Sequence, residues 1–342
     1  MANTDKSSTH QHTVRGTPTT STGVHSHALT ATDAALAAIT ARIKTLEAQM
    51  ADVILTITKI TGPTVPPGPG PVPPPVQPPV PPPIEPTPGT QITVARGGKG
   101  VVITANNQVV ENVVITGPGF TTYDGSTYGI YGSGAYSGVI IRHCTIRKMG
   151  HSGIWLVGLT NVTIEDCVIE DVAYAGIMTV GVAGGTIQRN TIRRVGNDGA
   201  GSVGNNAYGI AISGTSTRSS DIDVLHNTID YVPMWHGLDT HGGLRITFHG
   251  NTVRRAPRAI FVTSQSGGFL STDCVIDGNL FTDPIQVTGG TNPTWATTYD
   301  TRDCSFTNNH VGSAYASTTV YDYTDLSTGL TESGNTAAET LP

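Results

Sequence analysis

A recurring eight-residue pattern constrains the fold of this 342-residue chain more than any other feature of its sequence. Between residues 139 and 311, seven segments carry apolar residues at the first, third and eighth positions and Cys or Asn at the sixth, and only Gly185 departs from this pattern. Successive sixth positions lie 23, 23, 37, 24, 28 and 30 residues apart. They are Cys144, Cys167, Asn190, Asn227, Asn251, Asn279 and Asn309. A period in the twenties with alternation inside it predicts a solenoid of short strands.

Stacked rungs of such a solenoid bury alternate residues in one continuous core, and their backbones pair with rungs about 4.8 Å above and below. The pattern therefore predicts an all-β fold, a right-handed parallel β-helix of roughly ten rungs over residues 91–342. Asn190, Asn227 and Asn251 should stack in one column and hydrogen-bond along it. The four cysteines are predicted to stay reduced, as small apolar side chains without a disulfide.

A second strand follows the first in most rungs. Its alternate apolar residues predict an inward column that contains Ile154, Ile177, Ile210, Leu238 and Ile260. The residues between inward positions are predicted to point outward to solvent. On that outer face a carboxylate and an imidazole occur together on one rung only, as Asp239 and His241.

Other polar and aromatic residues are predicted to surround this pair. The longest step between rungs carries its surplus in residues 196–206, and long loops of a solenoid usually wall its binding face. A stacked position just before the strand holds Tyr208, His236 and Arg258 on successive rungs. The predicted catalytic residues are Asp239, His241, His236, Tyr208 and Arg258, and the predicted substrate-binding residues are Trp235, Asp198 and Phe261.

The segment His236-Gly-Leu-Asp239-Thr-His241 resembles the Tyr-Gly-Phe-Asp-Pro-His motif of mannuronan C5-epimerases. The right-handed parallel β-helix also occurs in pectate lyases, glycoside hydrolases and phage tailspikes. The resemblance implies proton transfer at Asp239 and His241, with Arg258 facing a sugar carboxylate. His236 stands where the motif has Tyr, and Tyr208 of the preceding rung is the candidate replacement. Such a site requires neither a cofactor nor a metal ion.

Three kinds of function fit this outer face. A uronan lyase or epimerase needs a base near neutral pKa and a cation beside the developing enolate, which His241 and Arg258 would supply. A glycoside hydrolase needs two carboxylates about 5–10 Å apart, for which Asp239 and Asp198 are the candidates. A polar face that only binds a glycan, without catalysis, is the third interpretation.

The first 90 residues predict three segments with no part in the solenoid. Residues 1–29 are polar and predict a flexible tail, and residues 30–61 predict one helix that ends at Gly62-Pro63. The apolar residues of this helix alternate in steps of three and four, with Ile and Val at both seams, which favours a parallel trimeric coiled coil. Residues 62–90 contain fifteen prolines and predict a stiff polyproline stalk of about 80 Å.

The composition and charge of the chain argue against several kinds of partner and location. A formal net charge of −6 and a pI near 6.0 argue against nucleic acid and against an anionic membrane surface. The polar start lacks the apolar core of a signal peptide, and the chain has no run of about 18 apolar residues for a transmembrane segment.

A tail, a trimeric helix, a stalk and a β-helix head together resemble virion proteins of tailed phages that hold a receptor-binding head away from the particle. The resemblance implies a homotrimeric tail fibre or tailspike that is made in the host cytoplasm and located in the virion. Its ligand would be a host cell-surface polysaccharide, and its tail would bind other virion proteins. The alternative is a free polysaccharide lyase, epimerase or glycoside hydrolase, which leaves the stalk without a purpose.

Overall fold

The computed structural model of the chain describes residues 89–196, 206–265, 268–285, 293–315, 317–323, 326–338 and 340. The predicted tail, coiled-coil helix and nearly all of the proline stalk lie outside these residues, and so does Asp198; the statements made about them above remain predictions. Within the described residues no helix has the length and hydropathy that a membrane span requires.

Thirty strands account for nearly all regular structure in the described residues. The first ten are β1 (Thr90–Thr93), β2 (Lys99–Ile103), β3 (Val109–Glu111), β4 (Val113–Thr116), β5 (Tyr128–Ser133), β6 (Ile140–Arg142), β7 (Thr145–Met149), β8 (Ser152–Val157), β9 (Thr160–Glu165) and β10 (Val168–Val172). The next ten are β11 (Ala175–Val180), β12 (Ala183–Gln188), β13 (Thr191–Val195), β14 (Tyr208–Ser213), β15 (Ser220–Leu225), β16 (Thr228–Asp230), β17 (His236–His241), β18 (Leu244–His249), β19 (Thr252–Arg254) and β20 (Arg258–Thr263). The last ten are β21 (Ser271–Thr272), β22 (Val275–Asp277), β23 (Leu280–Thr282), β24 (Thr294–Tyr299), β25 (Thr301–Arg302), β26 (Ser305–Thr307), β27 (His310–Val311), β28 (Tyr321–Asp322), β29 (Thr331–Ser333) and β30 (Thr336–Ala337).

Every third strand joins the same sheet over most of the chain, which is the topology of a three-sided solenoid. Sheet 1 contains ten strands from β1 to β30, sheet 2 contains nine from β2 to β28, and sheet 3 contains eleven from β3 to β29 with β21 and β25 on a side path. All strand pairs are parallel, and equivalent residues of the repeat stand opposite each other, as Ile146, Ile169 and Ile192 do in sheet 1. The all-β parallel solenoid is confirmed, with about nine turns against the roughly ten predicted.

The corner between sheets 3 and 1 explains why the repeat carries Cys or Asn at its sixth position. The residue before each of these positions adopts a left-handed backbone, with φ between 53° and 63° from His143 to Asn308. Most of these residues are Asp, Asn, His or Gly, for which that conformation costs least. The chain turns there, so the next side chain points into the corner.

Asparagine side chains stack at this corner in one column, as predicted. The side-chain amide Nδ2 of Asn227 donates to Oδ1 of Asn251 at 3.0 Å and to the carbonyl of Ile187 at 2.8 Å, while its backbone N–H donates to the same Oδ1 at 2.9 Å. The pattern repeats from Asn190 to Asn335. These residues form the asparagine ladder, which satisfies buried backbone groups that no strand pairs. Cys144 and Cys167 continue the column, and all four cysteines of the chain are free and buried.

Candidate functional site

The candidate site lies on the outer face of sheet 2, where β14, β17 and β20 pair in register. Because outward positions recur every second residue, equivalent side chains of the three rungs lie about 4.8 Å apart. The register aligns three short columns, namely Tyr208, His236 and Arg258; Ala211, Asp239 and Phe261; and Ser213, His241 and Thr263. The structure thereby brings together the Asp, His and Tyr residues that the sequence singled out.

His236, Asp239 and His241 form one string of polar contacts. Nδ1 of His236 and Oδ2 of Asp239 share a hydrogen bond of 2.5 Å, and Oδ1 of Asp239 lies 3.4 Å from Nε2 of His241. His236 and Asp239 are fully buried, whereas 26% of the His241 side chain is exposed. His241 is therefore the member of the string that a ligand can touch.

Burial controls the ionisation of these three groups. It raises the pKa of the Asp239 carboxyl well above its ordinary value and lowers the pKa of His236 well below its own, to which Arg258 and His241 add. The His236–Asp239 pair therefore carries no net charge near pH 7. Burial also lowers the pKa of His241 to about 4, below the near-neutral value that the sequence interpretation expected of a base. Its imidazole is therefore neutral at pH 7 and has one nitrogen lone pair free to accept a proton.

Two atoms of the string have no hydrogen-bond partner among the residues that the structure describes: Nε2 of His236 and Oδ1 of Asp239. Leaving a buried donor or acceptor unpaired costs about 1–3 kcal/mol, and folded proteins rarely do so. Four other buried side chains of the described residues, Thr179, Thr240, Thr298 and Tyr315, also have an unpaired oxygen, so these two atoms do not by themselves assign a role to the rung.

Aromatic rings enclose the buried pair. The Trp235 ring stacks on His236 at 4.7 Å and 24°, and the Phe261 ring lies 4.5 Å from His236. The guanidinium of Arg258 lies 4.8 Å from the centre of the Trp235 ring. Arg258 has no ion pair within the described residues, and burial lowers the pKa of its guanidinium. Trp235 thus covers the face of His236, with Arg258 beside it on the side of β20.

Tyr208 covers the opposite side. Its ring meets those of His236 and His241 edge-on, at 5.8 Å and 6.2 Å between centres. Its hydroxyl takes part in hydrogen bonds with the side chains of Asn206 and Trp235. Burial and the nearby Asp239 raise the pKa of Tyr208, which keeps the hydroxyl protonated.

A cavity of about 370 Å³ opens beside His241, on the side of β14, β11 and β8. Its volume falls within the range of about 300–1,000 Å³ that small-ligand sites occupy. Neither a carboxylate nor a cationic group is found among the described residues that line it. Its walls are aromatic and consist of Trp155, Tyr174 and Tyr208. Its floor is apolar and consists of Met178, Val180 and Ala211. The polar groups at one end are His241, Ser213, Thr215 and Gln265.

Comparison with known proteins agrees with this architecture. Residues 90–253 match the family model described as a right handed beta helix region. The solenoid is a right-handed parallel β-helix. No curated protein matches the sequence.

The chain is also similar to solved structures. An alginate lyase from Paenibacillus sp. str. FPU-7 is 15% identical over 74% of this chain and 93% of its own, with a TM-score of 0.38. A GH87 alpha-1,3-glucanase from Streptomyces thermodiastaticus strain HF3-3 is 15% identical over 72% of this chain and 64% of its own, with a TM-score of 0.33. The adhesin PfbA of Streptococcus pneumoniae is 12% identical over 66% of this chain and 79% of its own, with a TM-score of 0.40. This chain thus spans slightly less than two thirds of the glucanase.

The outer face of the β-helix differs from the sequence prediction in one respect. Outward positions were predicted to point to solvent, yet Met178, Ala211, Tyr208 and Asp239 are all buried. The prediction was wrong because rings from neighbouring positions, those of Trp155, Tyr174 and Trp235 among them, pack over these side chains and form a second apolar cluster outside the core.

The predicted site residues of the β-helix therefore fall into groups. His241 and Tyr208 line the cavity, and Asp239 and His236 lie buried behind them. Trp235, Arg258 and Phe261 enclose the buried pair but do not line the cavity. No cluster of three or more metal-ligating side chains is found in the described part of the chain.

The sequence interpretation overlooked the cavity walls Trp155 and Tyr174. A signal was available, since Trp155 is in the same outward column as Asp239, three rungs earlier. Tyr174 directly precedes β11, at the corner where no periodic rule applies, so its position depends on the fold.

Proposed function

We propose that the outer face of sheet 2 binds a polysaccharide in the cavity beside His241. One observation carries the proposal: an aromatic-walled cavity of about 370 Å³ opens beside a partly exposed imidazole that is backed by a buried His–Asp pair. Sugar rings present apolar C–H faces and polar hydroxyl edges. A site with aromatic faces and a few polar groups at one end is complementary to both.

The chemistry that we propose for this site is proton transfer by His241. Oδ1 of Asp239 has no hydrogen-bond partner among the described residues but lies 3.4 Å from Nε2 of His241, so a proton on Nε2 faces this oxygen and leaves the lone pair on Nδ1 free to accept another from a sugar carbon. Asp239 is buried and acts as a positioning residue for the imidazole. Tyr208, whose hydroxyl stays protonated, is the candidate donor to the opposite side of the sugar.

This arrangement supports a uronan lyase or epimerase more than a glycoside hydrolase. Hydrolysis needs two carboxylates on either side of the scissile bond. Asp239 is fully buried, the described residues that line the cavity include no carboxylate, and Asp198 lies outside the described residues. Arg258 has no ion pair among the described residues, but it does not line the cavity, so in this proposal it attracts an anionic sugar only from beyond the cavity.

The test is incubation of the purified full-length protein with a panel of neutral and uronate-containing polysaccharides. Lyase activity gives an absorbance of unsaturated uronates, epimerase activity gives solvent deuterium in the sugar, and hydrolysis gives reducing ends without unsaturation. We expect His241→Ala to abolish turnover and to leave glycan binding largely intact, because a base acts mainly in the transition state. If no polysaccharide binds in calorimetry, the proposed function is wrong. Binding without any product identifies a binding face rather than an enzyme.

We further propose that the β-helix is the head of a trimeric virion fibre that binds a host surface polysaccharide. The support is the heptad pattern of residues 30–60 and the proline-rich stretch that follows. Sedimentation equilibrium of the full chain should give three times its mass of 35.6 kDa. A monomer at micromolar concentration would contradict the fibre and favour a free polysaccharide-processing enzyme.

A further inference from the structure

Aromatic side chains continue from the cavity toward the N-terminal end of sheet 2. Tyr131 and Trp155 occupy the outward column of Asp239 on β5 and β8, and Tyr128 stands at the start of β5. Ring centres lie 5.1 Å apart between Tyr131 and Tyr128, 5.8 Å between Tyr128 and Trp155, and 6.2 Å between Trp155 and Tyr174. We call Tyr131, Tyr128, Trp155 and Tyr174 the aromatic stripe. A further contact of 5.5 Å joins Tyr174 to Tyr208 and so to the cavity beside His241.

The rings of the stripe are held in place from behind by His151. This imidazole is 4% exposed, and its centre lies 4.6 Å from Tyr128, 4.9 Å from Trp155 and 4.9 Å from Tyr174. Its Nδ1 shares a hydrogen bond of 2.7 Å with Oγ of Ser152, which fixes the ring plane. The stripe is therefore a rigid surface, and a ligand would lose little side-chain entropy in ordering it.

The stripe has few charges beside it. In the strands of sheet 2 that precede β17, the single ionisable acid or base other than Tyr is Lys99, whose ammonium lies 4.0 Å from the centre of the Tyr131 ring. Outside the strands, the Asp124 carboxylate lies near Tyr128 and His151 and, secondary to the effect of burial, raises the pKa of both. A nucleic acid would require several cations along such a track to neutralise its phosphates. Half-buried rings with hydroxyl tips and few charges are complementary instead to a chain of sugars.

The cavity also fixes the direction in which such a chain would run from His241. Trp155 and Tyr174 of the stripe form its wall, so the cavity and the stripe are one continuous surface. On the opposite side, Phe261 packs on His236 and the Arg258 guanidinium lies against Trp235, and none of these side chains lines the cavity.

We propose that the aromatic stripe is a binding track for several sugar units of an extended glycan, which runs along the solenoid axis from His241 toward the N-terminal end of sheet 2. Four rung steps separate Tyr131 from Asp239, a length of about 19 Å. A pyranose unit in an extended chain advances by about one rung spacing, so about four units cover the track. The track depends on the proposed function, since it extends the same site.

A length series tests the track on the full-length protein. Defined oligosaccharides of two to eight units, prepared from the polysaccharide that binds best in the panel above, are titrated by calorimetry into wild type, Tyr131→Ala and Trp155→Ala. We expect affinity for the wild type to rise with length up to about five or six units. Tyr131→Ala, which leaves the cavity intact, should weaken binding of the long oligosaccharides about tenfold and binding of disaccharides less than twofold. Trp155→Ala also removes a wall of the cavity and should weaken binding of every length.

Three controls keep the test decisive. Trp155→Phe retains a ring and should restore most of the affinity, and a thermal melt of each variant identifies loss of folding. Tyr323→Ala removes an exposed ring beside the opposite end of sheet 2 and should change nothing. If Tyr131→Ala weakens short and long ligands equally, or weakens neither, the track is overturned while the proposed function stands. If the wild type binds no glycan of any length, the proposed function fails first and the track fails with it.

Discussion

The asparagine ladder and the outward column of Asp239 run along the same solenoid, but they use its repeat in opposite ways. At the ladder corner, rung after rung presents the same side chain with the same three hydrogen bonds. In the outward column of sheet 2, successive rungs present Val102, Tyr131, Trp155, Met178, Ala211, Asp239, Phe261, Thr297 and Tyr321. Every rung there differs from the next.

This difference distinguishes residues that stabilise the solenoid from residues that form a functional surface. A contact that a solenoid repeats unchanged must satisfy what each rung needs in order to stack, namely core volume and paired backbone groups. A column in which each rung differs has no such shared requirement, so its residues are free to form a surface. The same column contains the buried carboxylate with an unpaired oxygen, which no requirement of stacking explains. The predictions below test this division.

Removal of a ladder side chain should have the largest effect on folding. Asn251→Ala deletes the oxygen that pairs the backbone and side-chain amides of Asn227, and it deletes the donor to the carbonyl of Val224 at 2.8 Å. Several buried polar groups then lack partners at about 1–3 kcal/mol each, partly relieved by relaxation. We expect a loss of about 3–5 kcal/mol in the free energy of unfolding, measured by urea titration.

The end of the ladder offers a matched control. Asn335 accepts from Asn309 and donates to the carbonyl of Phe306, but it is half-buried and has no ladder residue beyond it in the described part of the chain. Asn335→Ala should therefore cost less than half as much as Asn251→Ala. Equal costs at the two positions would show that the ladder does not act through buried, repeated hydrogen bonds.

The burial of His151 behind the aromatic stripe should lower the stability of the protein in acid. Burial lowers the pKa of His151 from 6.5 to about 4, against a smaller opposing effect of Asp124. Between pH 6.5 and 4 the unfolded chain binds a proton at this residue that the folded protein does not, so stability rises with pH across this window. One proton corresponds to about 1.4 kcal/mol per pH unit. His151 should thus cost about 2 kcal/mol between pH 6.5 and 5, and His241 adds a contribution of the same sign.

His151→Phe removes that proton and keeps a ring behind the stripe. Its unfolding free energy should fall less steeply than that of the wild type below pH 6.5, as measured by urea titration at a series of pH values. His310→Gln, a substitution on sheet 1, serves as the control for the loss of one histidine. If His151→Phe and the wild type keep parallel pH profiles, His151 titrates normally and is not enclosed as described.

The two regions also differ in how far the sequence predicts them. The ladder, the inward columns and the parallel register follow from a period of two inside a period in the twenties, and the structure confirms them. Even the left-handed corner was open to prediction, because Asp, His, Asn or Gly precedes nearly every ladder residue. Each of these properties belongs to the repeat itself.

The candidate site was only half predictable. The sequence places Asp239 and His241 on the same outward face, because alternation along β17 requires it. It does not reveal that Asp239 and His236 are fully buried, since the rings that enclose His236 come from Trp235, before the strand, and from Phe261 and Tyr208 on other rungs. Their packing depends on side-chain volume between rungs, which no periodicity encodes.

The smallest effect on folding should come from the residues that matter most to the site. Asp239→Ala alone leaves Nδ1 of His236 buried without its partner, and we expect it to cost about 1–3 kcal/mol. The double change Asp239→Ala with His236→Phe removes the whole polar pair, together with its unpaired atoms, and gives the rung apolar outward residues. Replacing a buried polar pair by apolar groups is often neutral or stabilising.

The free energy of unfolding of the double variant should therefore lie no more than about 1 kcal/mol below that of the wild type, although the double variant has lost more polar groups than the single one. In the same protein, turnover or glycan affinity at His241 should fall, because the imidazole has lost the carboxylate that positions it. A double variant that unfolded more easily than Asp239→Ala would place this pair with the ladder, among the groups that hold the solenoid together.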